Sequence, residues 1–322
     1  MKKFQVLIVL LFLTIPIFVK AQETLPIYSD YLSDNVYLVH PSAAGIGNCG
    51  KVRLTGRTQW SGISDAPALQ TLSAHTRVGT NAGVGIILFN DKNGYHSQQG
   101  IQGTYAYHID LGRPEEAHQL SFGLSLMAVN NSLDQRSFEP SGDTFPIIRN
   151  ESYFNSDISF AYHNRGFFSY FTAKNVMFSA RSLYDDRYES MNLRRYLATV
   201  GYYFGQGKSI QFEPSIMGQA IELTGEKFVD FNMKIYKKMN ESLLWAAISY
   251  RRGFDNSATE ELKYITPIVG VNYKNFMVSY TYTKQSGDIL FEDAGYHQLT
   301  LGFNFGCRTP RASGCPNING SF

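Results

Sequence analysis

Along most of this chain apolar and polar side chains alternate one by one. In NFMVSYTYTK (275–284), Phe276, Val278, Tyr280 and Tyr282 fall on one face and Met277, Ser279, Thr281 and Thr283 on the other. In YHQLTLGFNFG (296–306), Leu299, Leu301, Phe303 and Phe305 oppose Thr300, Gly302 and Asn304. Successive side chains of a strand point to opposite faces, so each stretch reads as a strand with one apolar face and one small or polar face. About fourteen segments share this texture: 50–58, 68–78, 81–90, 98–111, 118–130, 153–164, 166–175, 194–206, 208–221, 226–237, 240–252, 263–273, 275–284 and 296–306.

Two features decide what the apolar face meets. In VDFNMKI (229–235), Val229, Phe231, Met233 and Ile235 share one side, and Asp230, Asn232 and Lys234 the other. A lysine facing lipid at mid-depth costs about 2–4 kcal/mol, so Lys234 is expected to face an interior. HQLSFGLSLMAV (118–129) divides the same way, with Leu120, Phe122, Leu124 and Leu126 against Ser121, Gly123 and Ser125. The strands also run to ten residues or more, whereas sandwich strands average about 5–6. The connections alternate in length: Gly79-Thr80, Arg165, Gly207, Lys238-Met239 and Lys274 are tight, while 131–152, 176–193, 253–262 and 285–295 are long and polar. Short turns at one end and long loops at the other mark outer-membrane barrels. The pattern therefore predicts an all-β chain: a transmembrane antiparallel barrel of about 14 strands over 50–306, with both termini on the periplasmic side.

Composition fits that expectation. The 322 residues are 43% hydrophobic and 14% aromatic, but only 17% charged, against about 25% in soluble domains. A net charge of +2 supplies no basic field for nucleic acid. Lys2 and Lys3, the apolar run Phe4–Val19 and the small-residue site at Val19-Lys20-Ala21 read as a secretory signal over 1–21. Residues 22–49 precede the strand pattern and are expected to form a periplasmic or plugging segment. Residues 307–322 are expected to be a short periplasmic tail. Of the three cysteines, Cys307 and Cys315 lie close in that tail and are the expected disulfide pair in an oxidising compartment.

Candidate chemistry is sparse. The chain has no G-x-S-x-G, H-E-x-x-H or Walker loop. The seven histidines (40, 75, 96, 108, 118, 163 and 297) are scattered over different strands and loops and are expected to serve as hydrogen-bonding groups. Asp91-Lys92-Asn93-Gly94 lacks the ligand count of a calcium loop and reads as a tight hairpin turn. Asp185-Asp186 and Glu260-Glu261 read as solvated loop charge. The expectation is a protein that is not an enzyme, with no cofactor and no metal site.

The N-terminal third carries a resemblance. IYSDYLSDNVYLVHPSAAG (27–45), RTQWSGISDAPALQTLSAH (57–75) and GVGIILFNDKNG (83–94) resemble the PorP/SprF family of type IX secretion outer-membrane proteins. The family pattern is a Tyr-Ser-x-Tyr opening, an Asn-Pro-Ala-x-x-Gly element, an Arg-x-Gln-Trp…Ala-Pro…Gln-Thr-Leu-Ser-x-His block, and a Gly-x-Gly strand ending in Asp-x-x-Gly. Tyr28 and Tyr31 match the opening; Pro41 and Gly45 match the second element. Arg57, Gln59, Trp60, Pro67, Gln70 and His75 match the block, and Asp91 and Gly94 the strand end. The second element departs, reading His40-Pro41-Ser42 where the pattern has Asn-Pro-Ala, with Ala44-Gly45 retained. The resemblance implies a non-enzymatic outer-membrane barrel of a Gram-negative bacterium that supports export or surface attachment of a secreted, adhesin-like cargo recognised through its C-terminal domain. Other members are linked to periplasmic secretion-ring and peptidoglycan-binding partners. The alternative left open by the residues themselves is a passive porin or hydrophobic-solute transporter; outer-membrane lipid surrounds the barrel in either case, and no nucleic acid is expected.

Overall fold

The computed structural model describes residues 31–59, 66–112, 118–134, 148–177, 194–254, 263–286 and 295–308. The segment 1–21, Tyr28, Trp60 and Cys315 lie outside them. The described residues form a closed barrel of fourteen antiparallel strands, each bonded to its neighbours in sequence, with β1 (Gly50–Gln59) sealed against β14 (Gly295–Phe305). Between these run β2 (Ala68–Val78), β3 (Ala82–Asn93), β4 (His96–Asp110), β5 (Gln119–Asp134), β6 (Ile148–Asn164) and β7 (Phe167–Lys174). The second half comprises β8 (Arg195–Tyr202), β9 (Ile210–Ile221), β10 (Lys227–Lys238), β11 (Ser242–Phe254), β12 (Lys263–Tyr273) and β13 (Phe276–Ser286).

Each expected strand is present, and the differences at their ends have local causes. The strand expected over 194–206 stops at Tyr202. Its partner there is Pro214, which has no N–H to extend the ladder, and pairing resumes only as a single bridge between Phe204 and Phe212. Asn93 and His96 pair across a turn at Gly94–Tyr95, with Gly94 at φ +58°, so this Asn-Gly stretch is the expected hairpin turn. Arg165 and Lys274 adopt positive φ (53° and 51°) in the two-residue turns that join β6 to β7 and β12 to β13. The alternation of connection lengths holds for most of the barrel. Its exceptions are the short turns at 94–95 and 222–226 among the long loops, and the longer connections at 111–118 and 203–209 among the tight ones.

The barrel is polar inside and apolar outside. Leu126 (64% exposed), Phe154 (71%) and Val269 (55%) project outward, whereas Lys234 and Arg53 are each 1% exposed and point into the lumen. The outward face of β10 carries Phe231, Met233 and Ile235, and its inward face Asp230, Asn232 and Lys234, the division expected from the alternation. In hydrocarbon only a helix or a closed barrel satisfies every peptide group, and here the β1–β14 ladder closes the ring.

The disulfide corrects an expectation. Cys307 bonds Cys49, not Cys315. Nearness in sequence pointed to the tail, but ring closure pairs Gly50 with Phe305 and brings the residues flanking β1 and β14 together. The bond spans 258 residues and clasps the periplasmic end of the seam. Proteolytic mapping of the non-reduced protein is expected to recover the Cys49 peptide linked to the Cys307 peptide; a Cys307–Cys315 linkage would contradict the fold. For the wall, Val269→Arg near mid-strand is expected to cost about 2–4 kcal/mol in urea unfolding from vesicles, whereas Phe254→Arg at a strand end is expected to cost about 1 kcal/mol or less.

Candidate functional site: an occupied lumen

Residues 31–49 lie inside the barrel, and all of them except Val36, Gly47 and Asn48 are buried. Two 3-10 turns, Val36–Leu38 and Pro41–Ala43, shape the segment, and Pro41 opens the second, where its fixed φ is tolerated. Glycines on the wall let backbone lie directly on backbone. A Cβ at Gly83 would stand 2.0 Å from the Ala44 carbonyl oxygen, and one at Gly123 2.3 Å from the Ser42 nitrogen.

Polar side chains from eight strands meet the segment, Thr281 of β13 among them at 3.5 Å from the Ser33 hydroxyl. Asp34 bridges Lys51 (3.0 Å) and Arg53 (2.6 Å) of β1, and the Arg53 guanidinium also donates to Asn304 of β14 (2.9 Å). Asn35 donates to Ser73 of β2 (3.0 Å), and Tyr37 to Thr104 of β4 (2.9 Å). His40 bonds Thr172 of β7 (2.7 Å) and Thr199 of β8 (2.9 Å), and Ser42 bonds Ser159 of β6 (2.8 Å). The Lys234 ammonium of β10 donates to the Leu32 carbonyl (2.9 Å) while lying 4.0 Å over the Trp245 ring. Burial is close around them: Tyr31 and Leu32 border a cavity of only about 20 Å³ beside the Asp230–Arg251 pair (2.6 Å). A space of that size takes about one water.

These contacts set the charge states of the segment. Burial alone raises the Asp34 carboxyl, but Lys51 and then Arg53 outweigh it and hold the group below its usual range, as a carboxylate. Burial, reinforced by Lys174, pushes the His40 imidazole down to about 3, so it is neutral. Tyr31 is raised by burial and by Asp230, so its hydroxyl keeps its proton.

The motif positions fall into two groups in space. Gly45 donates its N–H to His75 Nδ1 (3.0 Å), and Tyr37 tilts against the His75 ring at 4.9 Å. The Gly-x-Gly element lies beside them, since a Cβ on Gly85 would collide with the Tyr37 ring at 2.5 Å. Pro41 packs against Gly123, and Tyr31 accepts from Asn232 Nδ2 (2.6 Å). These positions therefore form the seat of the segment. Arg57, Gln59, Pro67 and Asp91 gather elsewhere, with Tyr296, around a cavity of about 10 Å³ at the loop end of the lumen. Arg57 lies 5.5 Å over the Tyr296 ring, and Gln59 N–H donates to the Pro67 carbonyl (3.0 Å). Gln70 is not brought to either group; it sits on the exposed face of β2. Gly94 serves its hairpin turn. Sequence reasoning missed Asp34, Lys51 and Arg53. A carboxylate before the first strand and two cations at alternate positions within it were the available signal.

Chemically, the described lumen is lined by ion pairs and by paired hydroxyls such as Thr55 with Thr300 and Thr104 with Ser125. His40, His75, His108 and His163 are each held by lumenal partners, while His297 bonds Tyr280 on the outer wall. Among the described residues no three metal-ligating side chains cluster.

A family model described as "Type IX secretion system membrane protein PorP/SprF" matches residues 20–303. No curated protein matches the chain. Among solved structures, a FadL homologue of Pseudomonas aeruginosa is similar over 83% of this chain and 93% of its own, at 8% identity and a TM-score of 0.50. The CymD monoaromatic hydrocarbon channel covers 84% of this chain and 91% of its own at 8% identity, with a TM-score of 0.44. The translocator domain of autotransporter NalP from Neisseria meningitidis covers 85% and 92% at 12% identity, with a TM-score of 0.38. At these identities the first likeness concerns the barrel alone.

Removing Asp34 takes the shared carboxylate from two buried cations, so Asp34→Ala is expected to weaken folding by about 3–5 kcal/mol, read as a lower urea midpoint or loss of amide protection over 31–49. Protection of the same amides is also expected to fall with pH. Released His40 takes up a proton near its usual 6.5 and docked His40 only near 3, so its contribution is complete above about pH 6.5 and declines toward pH 3. Asp34 acts in the same direction lower down: its contribution is present above the ordinary carboxyl value of 3.8 and is lost as pH falls through its depressed one. Hydrogen exchange at pH 7 and 4.5, corrected for intrinsic rates, checks this, and His40→Asn is expected to flatten the slope above pH 4.5.

Proposed function

Because the chain belongs to the PorP/SprF family of type IX secretion system membrane proteins, we propose that this outer-membrane barrel supports export or cell-surface attachment of a secreted cargo protein. The cargo is an adhesin-like protein recognised through its C-terminal domain, and the barrel works alongside periplasmic secretion-ring or peptidoglycan-binding partners. The observation that carries the reading is the filled lumen. A conduit needs an unobstructed path, whereas here residues 31–49 are bonded to side chains of eight strands, and the cavity beside Tyr31 and Leu32 holds only about 20 Å³. A barrel of this kind is suited to present surfaces. Arg57, Gln59, Pro67 and Asp91 at the loop end of the lumen, and the turns at the other end, are the surfaces it offers.

One observation favours a second reading, a hydrophobic-solute transporter. Where Pro214 interrupts the β8–β9 ladder, an apolar cavity of about 390 Å³ opens on the outer wall, lined by Phe167, Val200, Tyr202, Ile216 and Phe231. Its floor reaches Ser215 and Asn232, whose side chains face the lumen.

Two measurements separate these readings. Deleting the chain from its host is expected to strip secreted proteins with type IX C-terminal domains from the cell surface, and normal surface display would refute the secretion role. In planar bilayers or swelling liposomes the purified barrel is expected to pass little solute; robust flux with no co-purifying cargo would favour the transporter.

A further inference from the structure

The outer-wall cavity at Pro214 lies at a definite depth. β9 climbs from the short-turn end at Ile210, and Pro214 is four residues further along. At about 3.3 Å per residue and a tilt of about 35–45°, the cavity stands roughly 10 Å above the end of the strand. The hydrocarbon core of a bilayer is about 30 Å thick, and the short turns of an outer-membrane barrel face the periplasm, so the cavity opens within the periplasmic leaflet. Its shape follows from the broken ladder. β8 and β9 pair no further than Gly201 with Ser215 and meet again only at Phe204 and Phe212. The Tyr202 ring leans over β7, where a Cβ on Gly166 would stand 3.1 Å from it. Val200, Pro214, Ile216 and Phe231 are left lining an apolar recess of about 390 Å³. That volume falls among small-molecule sites, at about 300–1,000 Å³, and far exceeds what a water needs.

Below the recess the wall changes character. Phe204, Phe212 and Ile235 carry the apolar surface on toward the short-turn end, where Lys208, Lys237 and Lys238 follow, all exposed. Lys237 shares the outward parity of Phe231 and Ile235 and pairs Ile210. The Lys238 N–H donates to the Ser209 carbonyl (2.8 Å), which brings the end of β10 against the turn that carries Lys208. Glu241, in the turn after β10, is paired with Lys274 (3.6 Å), and among the described residues none of these three lysines is in an ion pair. From Lys237 to Met233, the partner of Pro214, is four residues, or about 13 Å along the strand. An acyl chain spans that distance, whereas a small anion or a compact solute does not.

We propose that this face seats one anionic phospholipid of the periplasmic leaflet, its phosphate among Lys208, Lys237 and Lys238 and one acyl chain running over Phe212 into the recess at Pro214. The ammonium groups select the headgroup by charge, and the recess fixes where the chain lies by the apolar surface it covers. The seat rests on neither functional reading above, and it requires only that the barrel sit in the membrane with its short turns on the periplasmic side. It does bear on the second reading, because a lipid held there fills the opening that a hydrophobic solute would enter.

The test uses the full-length protein in detergent, with phosphatidylglycerol as the probe and phosphatidylcholine of the same chains as the comparison, reading bound lipid by native mass spectrometry. The wild type is expected to prefer phosphatidylglycerol. From the usual contribution of a basic residue toward anionic lipid, Lys208→Gln with Lys237→Gln is expected to weaken its binding about 30-fold. Lys237→Gln alone, expected to weaken it about 5-fold, serves where the double variant fails to fold. Val200→Phe, which fills the recess and leaves the lysines in place, is expected to weaken both lipids. Equal binding of the two lipids by the wild type, or lysine variants indistinguishable from it, would overturn the proposal. Unchanged binding by Val200→Phe would reduce the site to headgroup adsorption and overturn it too. So would displacement of the lipid by an equal concentration of glycerophosphoglycerol, which carries the same headgroup without chains and would assign the lysines to a free anion.

Discussion

Hydrocarbon offers no hydrogen-bond partner to a peptide group, and the architecture follows from that absence. A strand in lipid needs a neighbour on both edges, so the first strand must find the last, and β1 pairs β14 over ten residues. Closure fixes parity, because residues of one parity then face acyl chains and residues of the other face an enclosed interior. It also fixes covalent chemistry. Cys49 and Cys307 are remote in sequence but flank the two strands that closure joins, and they bond across the seam. Such a link restrains an unfolded chain over most of its length, where the entropic gain from cross-linking is largest.

An enclosed polar interior creates a second problem. Side chains such as Lys51, Arg53 and Lys234 need partners or water, and residues 31–49, which lie inside the barrel, supply them. Asp34 answers both β1 cations, and the Leu32 carbonyl answers Lys234. The segment has the same need, since its backbone makes only short 3-10 turns and leaves groups that the wall must satisfy. Gly45 N–H finds His75, and the Ala44 carbonyl accepts from His108 Nε2. The Gly-x-Gly of β3 and Gly123 of β5 let the two backbones approach closely enough for these bonds to form.

The wall was legible in the sequence to a degree that the lumen was not. Alternation is a local property: Phe231 and Lys234 announce opposite faces within four residues, so all fourteen strands and the inward turn of Lys234 could be read directly. Contacts across the barrel leave no such trace. Asp34 ahead of the first strand and Lys51 and Arg53 at alternate positions within it signal a lumenal charge, but not that both cations close on that carboxylate, and nothing near Cys307 distinguishes Cys49 from the closer Cys315. Motif spacing singled out His75, Gly45 and the Gly-x-Gly strand together, but their common purpose, seating one segment, appears only once the barrel is closed. Gln70 stands in the same motif yet faces outward, which separates membership of a pattern from membership of a site.

The strength of the lumenal seat is less than its list of bonds suggests. Each hydrogen bond formed on docking replaces one to water, so its net contribution is about 0.5–1.5 kcal/mol, and a buried ion pair such as Asp34 with Lys51 and Arg53 recovers in attraction little more than it loses in desolvation. What makes the seat hard to leave is dryness. With a cavity of about 20 Å³ beside Tyr31 there is room for roughly one water, so withdrawing the segment there by a small distance would break bonds without replacing them. Full withdrawal would flood the lumen and return most of that cost. The segment is therefore held by a barrier to partial movement more than by a deep minimum.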